Sequence, residues 1–499
     1  MFEKIVSQIN AIVWNPGLVV LLIAAGLYFS FRTRFVQVRR FGLMLRSLFS
    51  KKQDNKGISS FEAFSIALSG RVGTGNIVGV ATAIAFGGPG AVFWMWVVAF
   101  FGASTAFVES TLAQMYKFHH SSGYRGGPFS FIEHGLKARW LGILFAVITA
   151  VSCGFFLPTV QSNGAASAIN NSFPVTPLAA GIGLAVVLGL VILGGVKRIA
   201  RVASIVTPFM ALGYIVLSLV VVAFHIQDVP AVLGAIVKGA FGLNPVCGGI
   251  IGSTIAMGVK RGIFSNEAGQ GTGAIVSAAT DVPHPAQQGL AQAFSVYVDT
   301  LLVCTATALM ILCSGTYNIF GPDGQVLFGG APELGGNYVN YTQSAVDSVF
   351  TGFGSKFVSV AMVFFVFTTI MAYYFYAETS IIYLFRKRDS GSGSVSRASG
   401  ASASGPDTAG VASGAAGSVT GADASGSTSA PSRAERTVIF ILQAVMLGAV
   451  VFGAVKEADV VWQIGDIGVG LMAWVTVISI LILCPKAIRS LREFEQTQK

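Results

Sequence analysis

Apolar residues recur along this chain in long uninterrupted runs, and polar or Gly/Pro breaks divide them into segments of the length that crosses a bilayer. Eleven spans are predicted, at about 15–31, 62–86, 90–115, 139–167, 177–195, 203–225, 246–279, 287–313, 355–384, 437–455 and 460–484. The pattern is that of an all-α polytopic membrane protein. Two intervals between spans differ in kind. The stretch 389–435 is Ser, Gly, Ala and Thr, too poor in apolar side chains to offset its ordering entropy, and is expected to be a disordered cytoplasmic linker. The interval 314–355 carries Tyr317, Phe320, Phe328, Tyr338 and Tyr341 among Gly and Pro, with Asp323, Glu333 and Asp347 and no base before Lys356. It is expected to fold as a cap over the outer mouth.

Composition agrees: 53% of the 499 residues are hydrophobic and 11% charged, against about 25% charged in soluble domains. The net charge of +10 acquires meaning from position, because 25 of the 32 Lys and Arg fall in alternate connections and only four, Lys4, Lys238, Lys356 and Lys456, on the opposite side. By the positive-inside rule the N-terminus is outside and the C-terminus cytoplasmic in a cell membrane, and no nucleic-acid partner is needed to explain the charge. The first apolar run follows the single Lys4 and reads as a retained span, not a cleaved leader. Five cysteines, Cys153, Cys247, Cys304, Cys313 and Cys484, lie in or beside apolar runs without metal-ligand spacing.

Gly73 to Thr82 reads GTGNIVGVAT and Gly271 to Thr280 reads GTGAIVSAAT, matching at seven of ten positions 198 residues apart. The second and seventh spans are predicted to run in opposite directions, and an offset of five spans is what inverted-topology repeats require. The expected organisation is an extra N-terminal span with a basic loop (1–57), a first repeat (58–225), the first part of a second repeat (226–388), the linker (389–435), the last two spans (436–485) and a cytoplasmic tail (486–499).

Within the second span, Ser69, Gly70, Arg71, Val72, Gly73, Thr74, Gly75, Asn76 and Gly79 disfavour continuous helix. A small-residue packing face is one reading, since Gly75 and Gly79 have GxxxG spacing. The other is an unwound segment lining a polar cavity, whose restarting helix aims free N–H groups at a carboxylate and whose freed carbonyls suit sodium. The spacing is not that of a dinucleotide or phosphate loop. The run Lys260, Arg261, Gly262, Ile263, Phe264, Ser265, Asn266, Glu267, Ala268, Gly269 is expected to be a second broken helix facing the first, with a cytoplasmic loop as the alternative.

Further polar groups fall at mid-depth. Asp299, with Thr300 beside it, is a candidate ion ligand or the partner of Arg71 in a structural ion pair. Gln161 and Asn163 are substrate-binding amides or polar glue between helices, and Thr368 and Thr369 are cation ligands or hydroxyls bonded back to their own helix. Glu109, Glu378 and Asp466 lie nearer span ends and are expected to snorkel or cap. None of the five histidines falls at a span centre, and no catalytic, metal-ligand or ATP-binding set can be assembled, so an enzyme is not expected.

At these residues the chain resembles the alanine or glycine:cation symporter family. The carriers are SGRVGTGNIVGVATAIA from Ser69, GGPGAVFWMWVVAFFGAS from Gly87, QSN from Gln161, KRGIFSNEAGQGTGAI from Lys260 and VDTLLVCTATAL from Val298. The resemblance implies a LeuT-like 5+5 inverted repeat with two broken helices, and sodium-coupled uptake of alanine or glycine by alternating access. The amino acid, the co-transported sodium and the bilayer would be its partners, with no further cofactor. It implies that Thr74 and Gly75 bind the substrate carboxylate, that Asn76 lies beside substrate and sodium, and that Gln161, Phe264, Ser265, Asn266 and Tyr373 line the pocket. Val72, Asn76, Asp299, Thr368 and Thr369 would serve sodium. Gly164 stands where the family often has Ser, and Tyr373 where Trp is common, which bears on side-chain preference. A proton-coupled carrier using Asp299 or Glu267, and a passive channel or receptor, are the rival readings.

Overall fold

The computed structural model describes residues 2–52, 57–243, 249–386 and 432–498. The linker expectation for 389–435 falls almost wholly outside these residues, as does Cys247. The described chain is nearly all helix, and eight helices are long and apolar enough to cross a membrane. This is a multi-pass membrane protein.

In chain order the helices are α1 Phe2–Val13, α2 Pro16–Arg32, α3 Val36–Arg39, α4 Phe41–Leu48, α5 Ser60–Arg71, α6 Gly75–Gly87, α7 Gly90–Met115, α8 Pro128–Gly135, α9 Arg139–Ser172, α10 Pro177–Ile192 and α11 Gly195–Phe224. They continue as α12 Val229–Ala240, α13 Ile251–Asn266, α14 Thr272–Ala278, α15 Pro285–Ser314, α16 Tyr338–Asp347, α17 Gly354–Phe385, α18 Arg433–Val455 and α19 Ala458–Thr497. Two antiparallel hairpins complete the described fold: β1 Phe118–His120 with β2 Gly123–Arg125, and β3 Asn318–Phe320 with β4 Val326–Gly329.

Local chemistry explains the starts and breaks that matter. α5 opens on a capping box in which the Ser59 hydroxyl accepts from the Glu62 amide at 3.1 Å and the Glu62 carboxylate accepts from the Ser59 amide at 2.6 Å. It ends at Arg71, where Val72 turns extended beside Gly70 and Gly73, and helix resumes at Gly75. α13 ends because Glu267, Gly269 and Gly271 take positive φ values of 56°, 86° and 87°, which a right-handed helix cannot continue. In α9 a π-wound turn, Ser152–Phe156, lies just before Pro158, whose ring removes a helix hydrogen bond at that level.

The burial pattern is inverted relative to a soluble protein. Phe209, Leu212, Val216 and Leu219 fall on one stripe of α11 and are 52–82% exposed, a face suited to lipid, while Arg71, Asn76, Glu109, Glu267 and Asp299 are at most 1% exposed.

Some of the architecture departs from the sequence expectation. α1 is an additional helix ahead of the first span, pinned to α19 by the Trp14 indole donating to the Asp466 carbonyl at 2.8 Å and Trp474 donating to the Val13 carbonyl at 3.0 Å. α12 occupies part of an interval expected to be loop. The tail from 486 continues α19 through Pro485 as helix, since a proline in so long a helix costs one backbone bond without ending it. The 314–355 interval does fold, as β3, β4 and α16, and its Phe320 and Tyr338 rings pack on Phe86 of α6.

Candidate functional site

The two broken helices lie antiparallel across one another. At one end the chain before α5 pairs with the chain after α14, Ile58 donating to Ala279 at 3.1 Å and accepting from Asp281 at 3.0 Å. At the other, Thr254 of α13 donates to the Gly87 carbonyl at 2.8 Å. The breaks therefore meet near the middle. A Cβ on Gly75 would stand 3.2 Å from the Phe264 ring and 3.3 Å from the Ser265 Cα, so glycine permits the approach. Both copies of the repeated motif lie where a broken helix restarts.

Asp299 ties this crossing together. It sits in a π-wound stretch of α15, Tyr297–Cys304, and its carboxylate accepts from the Asn76 amide at 2.6 Å, the Ser265 hydroxyl at 2.9 Å and the Thr300 hydroxyl at 2.7 Å. One buried carboxylate thus bonds both broken helices, and three donors compensate the loss of water. The Asn76 carbonyl oxygen in turn accepts from the Gly73 amide at 2.8 Å, fixing the unwound turn. The sulfur of Cys304 lies 3.3 Å from the Asn76 amide and 3.2 Å from the Ser265 hydroxyl, a neighbour the sequence did not single out.

On the opposite flank, Gln161 of α9 accepts from the Thr74 amide at 2.9 Å, and its own amide lies 3.5 Å from the Tyr373 hydroxyl. The Thr74 N–H expected for a substrate carboxylate is thus held by Gln161 here. The Thr369 hydroxyl lies 2.8 Å from the Ser69 carbonyl, 3.2 Å from that of Val72 and 2.8 Å from that of Phe365 in its own helix. Gly164 leaves room for Thr74, whose Cγ2 is 2.5 Å from where a Cβ would stand. Phe264 packs on Trp462 with ring centroids 5.0 Å apart, and the Arg261 guanidinium lies 4.7 Å over Trp462.

Other expected residues lie elsewhere. Thr368 does not reach Val72: its hydroxyl bonds back to Phe364 and Phe365 and touches the Met210 sulfur, because consecutive helix residues point about 100° apart. Asn163 bonds the Gly453 and Lys456 carbonyls of the neighbouring α18 region, as helix-to-helix glue. Asn266 caps its own break, its side chain accepting from the Ala268 amide at 3.0 Å. Arg71 makes no ion pair with Asp299 and bonds Gln292 and Ser295 instead.

The three acids expected to snorkel or cap do otherwise. Asp466 is buried and receives both Lys260 and Arg261 at 2.7 Å. Glu109 is buried and accepts from the Gly271 amide at 3.2 Å. Glu378 accepts from Tyr374 at 3.1 Å and lies 3.8 Å from Arg125. Apart from Tyr374, one turn away from Glu378 on the same helix, their partners come from distant segments, which no local pattern announces. The run from Lys260 to Gly269 is the end of α13 and its break, not a surface loop.

The model of the sodium:alanine symporter family matches residues 1–399 and 415–499. The chain is 46% identical to the "Putative sodium/proton-dependent alanine carrier protein YrbD" of Bacillus subtilis, over 99% of this chain and 93% of that one. It is 42% identical to the sodium/proton-dependent alanine carrier protein of Bacillus sp. strain PS3, over 91% and 92%. It is 36% identical to the "Probable sodium/glutamine symporter GlnT" of Bacillus subtilis, over 100% and 93%. The family and these relatives are carriers, not enzymes, and the chain belongs to the sodium:alanine symporter family.

Proposed function

We propose that the chain carries alanine or glycine into the cell together with sodium, by alternating access on a LeuT-like 5+5 inverted repeat of ten crossings preceded by one extra span. In this reading the two broken helices and α10 join the eight long helices to complete eleven crossings, with the N-terminus outside and the C-terminus cytoplasmic.

The observation that carries the reading is the Asp299 carboxylate bonded at once to Asn76 and Ser265. A carboxylate at membrane depth is stable when a cation or several donors neutralise it, and sodium beside Asp299 and Asn76 supplies that charge, with a second sodium-type site at the Val72 carbonyl and the Thr369 hydroxyl. The substrate carboxylate takes the amides at Thr74 and Gly75, Gln161 releasing the first to bind the ligand, while Phe264, Ser265, Asn266 and Tyr373 bound the pocket. Because the Gly75 approach leaves little space, larger side chains are excluded by overlap. Sodium next to the bound carboxylate raises the affinity for amino acid, and by linkage the amino acid raises that for sodium.

Uptake of labelled alanine into proteoliposomes under an imposed sodium gradient, against an equal potassium gradient, tests this. Accumulation with sodium alone is expected. Equal uptake under both gradients, or preference for glutamine over alanine, overturns the ion or the substrate assignment.

A further inference from the structure

On the side of the Asp299 centre where α14 leaves the second break, two more carboxylates are buried that the sodium and amino-acid site does not use. Glu267, at the break itself, is 1% exposed and its carboxylate accepts from the Thr272 hydroxyl at 3.0 Å. Glu109 of α7 is wholly buried and accepts from the Gly271 amide at 3.2 Å. Each has its other carboxyl oxygen without a partner. The Tyr376 hydroxyl of α17, also buried, faces Glu267. An acceptor oxygen without a partner on each of the two buried acids marks a place where a hydrogen can be held.

Charge leads to the same conclusion. The titratable or charged groups facing the pair are Arg71 of α5, Asp299 of α15, Tyr373 and Tyr376 of α17 and Cys153 of α9. Arg71 is the one cation among them. It is buried, bonds Ser295 and Gln292, and has its Nε and Nη2 unpartnered. Three buried acids, Glu109, Glu267 and Asp299, therefore face one buried base. Sodium at Asp299 removes one excess negative charge. A second remains, and uncompensated charge at this depth is strongly unfavourable.

We propose that Glu109 and Glu267 together bind one proton, which travels inward with each amino acid; this rests on the sodium-symport reading above. An O–H bond forms on one of the two carboxyl oxygens with a proton from external water. When the cytoplasmic half opens, water reaches the pair, both carboxylates become stable as anions, and the O–H bond breaks to release the proton inside. Proton dependence is in the names of two relatives; the structure adds the pair of residues that would hold the proton, while Asp299 stays with sodium.

The test is sodium-driven alanine uptake into proteoliposomes with a pH-sensitive dye trapped inside, for the full-length protein and for Glu109→Gln. The wild type is expected to acidify the interior in proportion to the alanine taken up. Glu109→Gln is expected to retain sodium-driven uptake within about tenfold, without acidification and with a flattened pH profile, because an amide permanently replaces the protonated acid. Wild-type uptake with no acidification overturns the proposal while leaving sodium symport standing. So does acidification by Glu109→Gln equal to wild type. If Glu109→Gln does not fold, Glu267→Gln is read by the same criterion, and the wild-type dye signal decides by itself. No sodium-driven accumulation at all is a failure of the symport reading instead.

Discussion

Asn76 donates to the Asp299 carboxylate at 2.6 Å while its own carbonyl oxygen accepts from the Gly73 amide at 2.8 Å, so one side chain holds the first unwound turn and hands it to the acid on α15. Asn76→Ala removes both bonds. Hydrogen bonds to charged groups contribute about 1.5–3 kcal/mol, so sodium and alanine affinity should both fall by roughly 10- to 100-fold. The measurement is the KM for alanine across a series of sodium concentrations. An unchanged sodium dependence would remove Asn76 from the coupling.

Gly75 brings the two breaks close, its absent Cβ position lying 3.2 Å from Phe264 and 3.3 Å from the Ser265 Cα. Gly75→Ala pushes a methyl against the Phe264 ring and the Ser265 backbone, and should cost about 1–3 kcal/mol and most of the uptake while the protein still reaches the membrane. Gly183→Ala is the control, because nothing lies within 4 Å of its Cβ position. Uptake normalised to membrane expression separates the two. Equal losses would mean that crowding at the crossing has no special consequence.

How much of this was legible beforehand follows from what local pattern can carry. The position of the long spans, both breaks and Asp299 as a polar group in an apolar run could be read from the chain, because apolar length, clustered glycines and polarity within an apolar run are local signals. Asn76 and Ser265, by contrast, are singled out by the family resemblance. Thr368 and Thr369 could not be told apart, since adjacent residues differ only in the direction they face. The Asp466 cluster and the Glu109 contact stayed hidden because they join segments more than 150 residues apart.

Lys260 and Arg261 both place a nitrogen 2.7 Å from the Asp466 carboxylate, and Asp466 is nearly inaccessible. Asp466→Asn leaves two cations on α13 facing each other without an anion. Breaking a buried pair costs about 3–5 kcal/mol, so the Tm in detergent should drop by several degrees. Combining Asp466→Asn with Arg261→Met should recover part of the loss, and no recovery would show that the cost has another origin.

The β1–β2 hairpin has a pH dependence of its own. Burial, with the Arg125 guanidinium assisting and Glu435 opposing, holds the His120 imidazole below its ordinary value. The undocked hairpin then binds more protons than the docked one, so docking strengthens as pH rises and weakens as pH falls below about 6.5. Hydrogen exchange in 118–125, corrected for intrinsic rates, should show protection falling between about pH 7.5 and 5.5 in the wild type and a flatter response in His120→Gln. Protection that rises on acidification would mean that the Glu435 contact prevails.

Thr369 and Thr368 offer the sharpest test of the proposed sodium site beside the first break. The Thr369 hydroxyl lies among the carbonyls of Ser69, Val72 and Phe365, a cluster of oxygens with one hydrogen to share, which is the donor set a sodium ion takes. The Thr368 hydroxyl bonds its own helix and the Met210 sulfur on the other side. Thr369→Val keeps the shape and removes the oxygen, so half-saturating sodium should rise by about tenfold or more with α17 intact. Thr368→Val should change it by less than about twofold. Sodium activation curves for uptake at saturating alanine provide both numbers. If the two variants shift together, the ion does not sit between α17 and the first break, and the Asp299 centre alone accounts for sodium dependence.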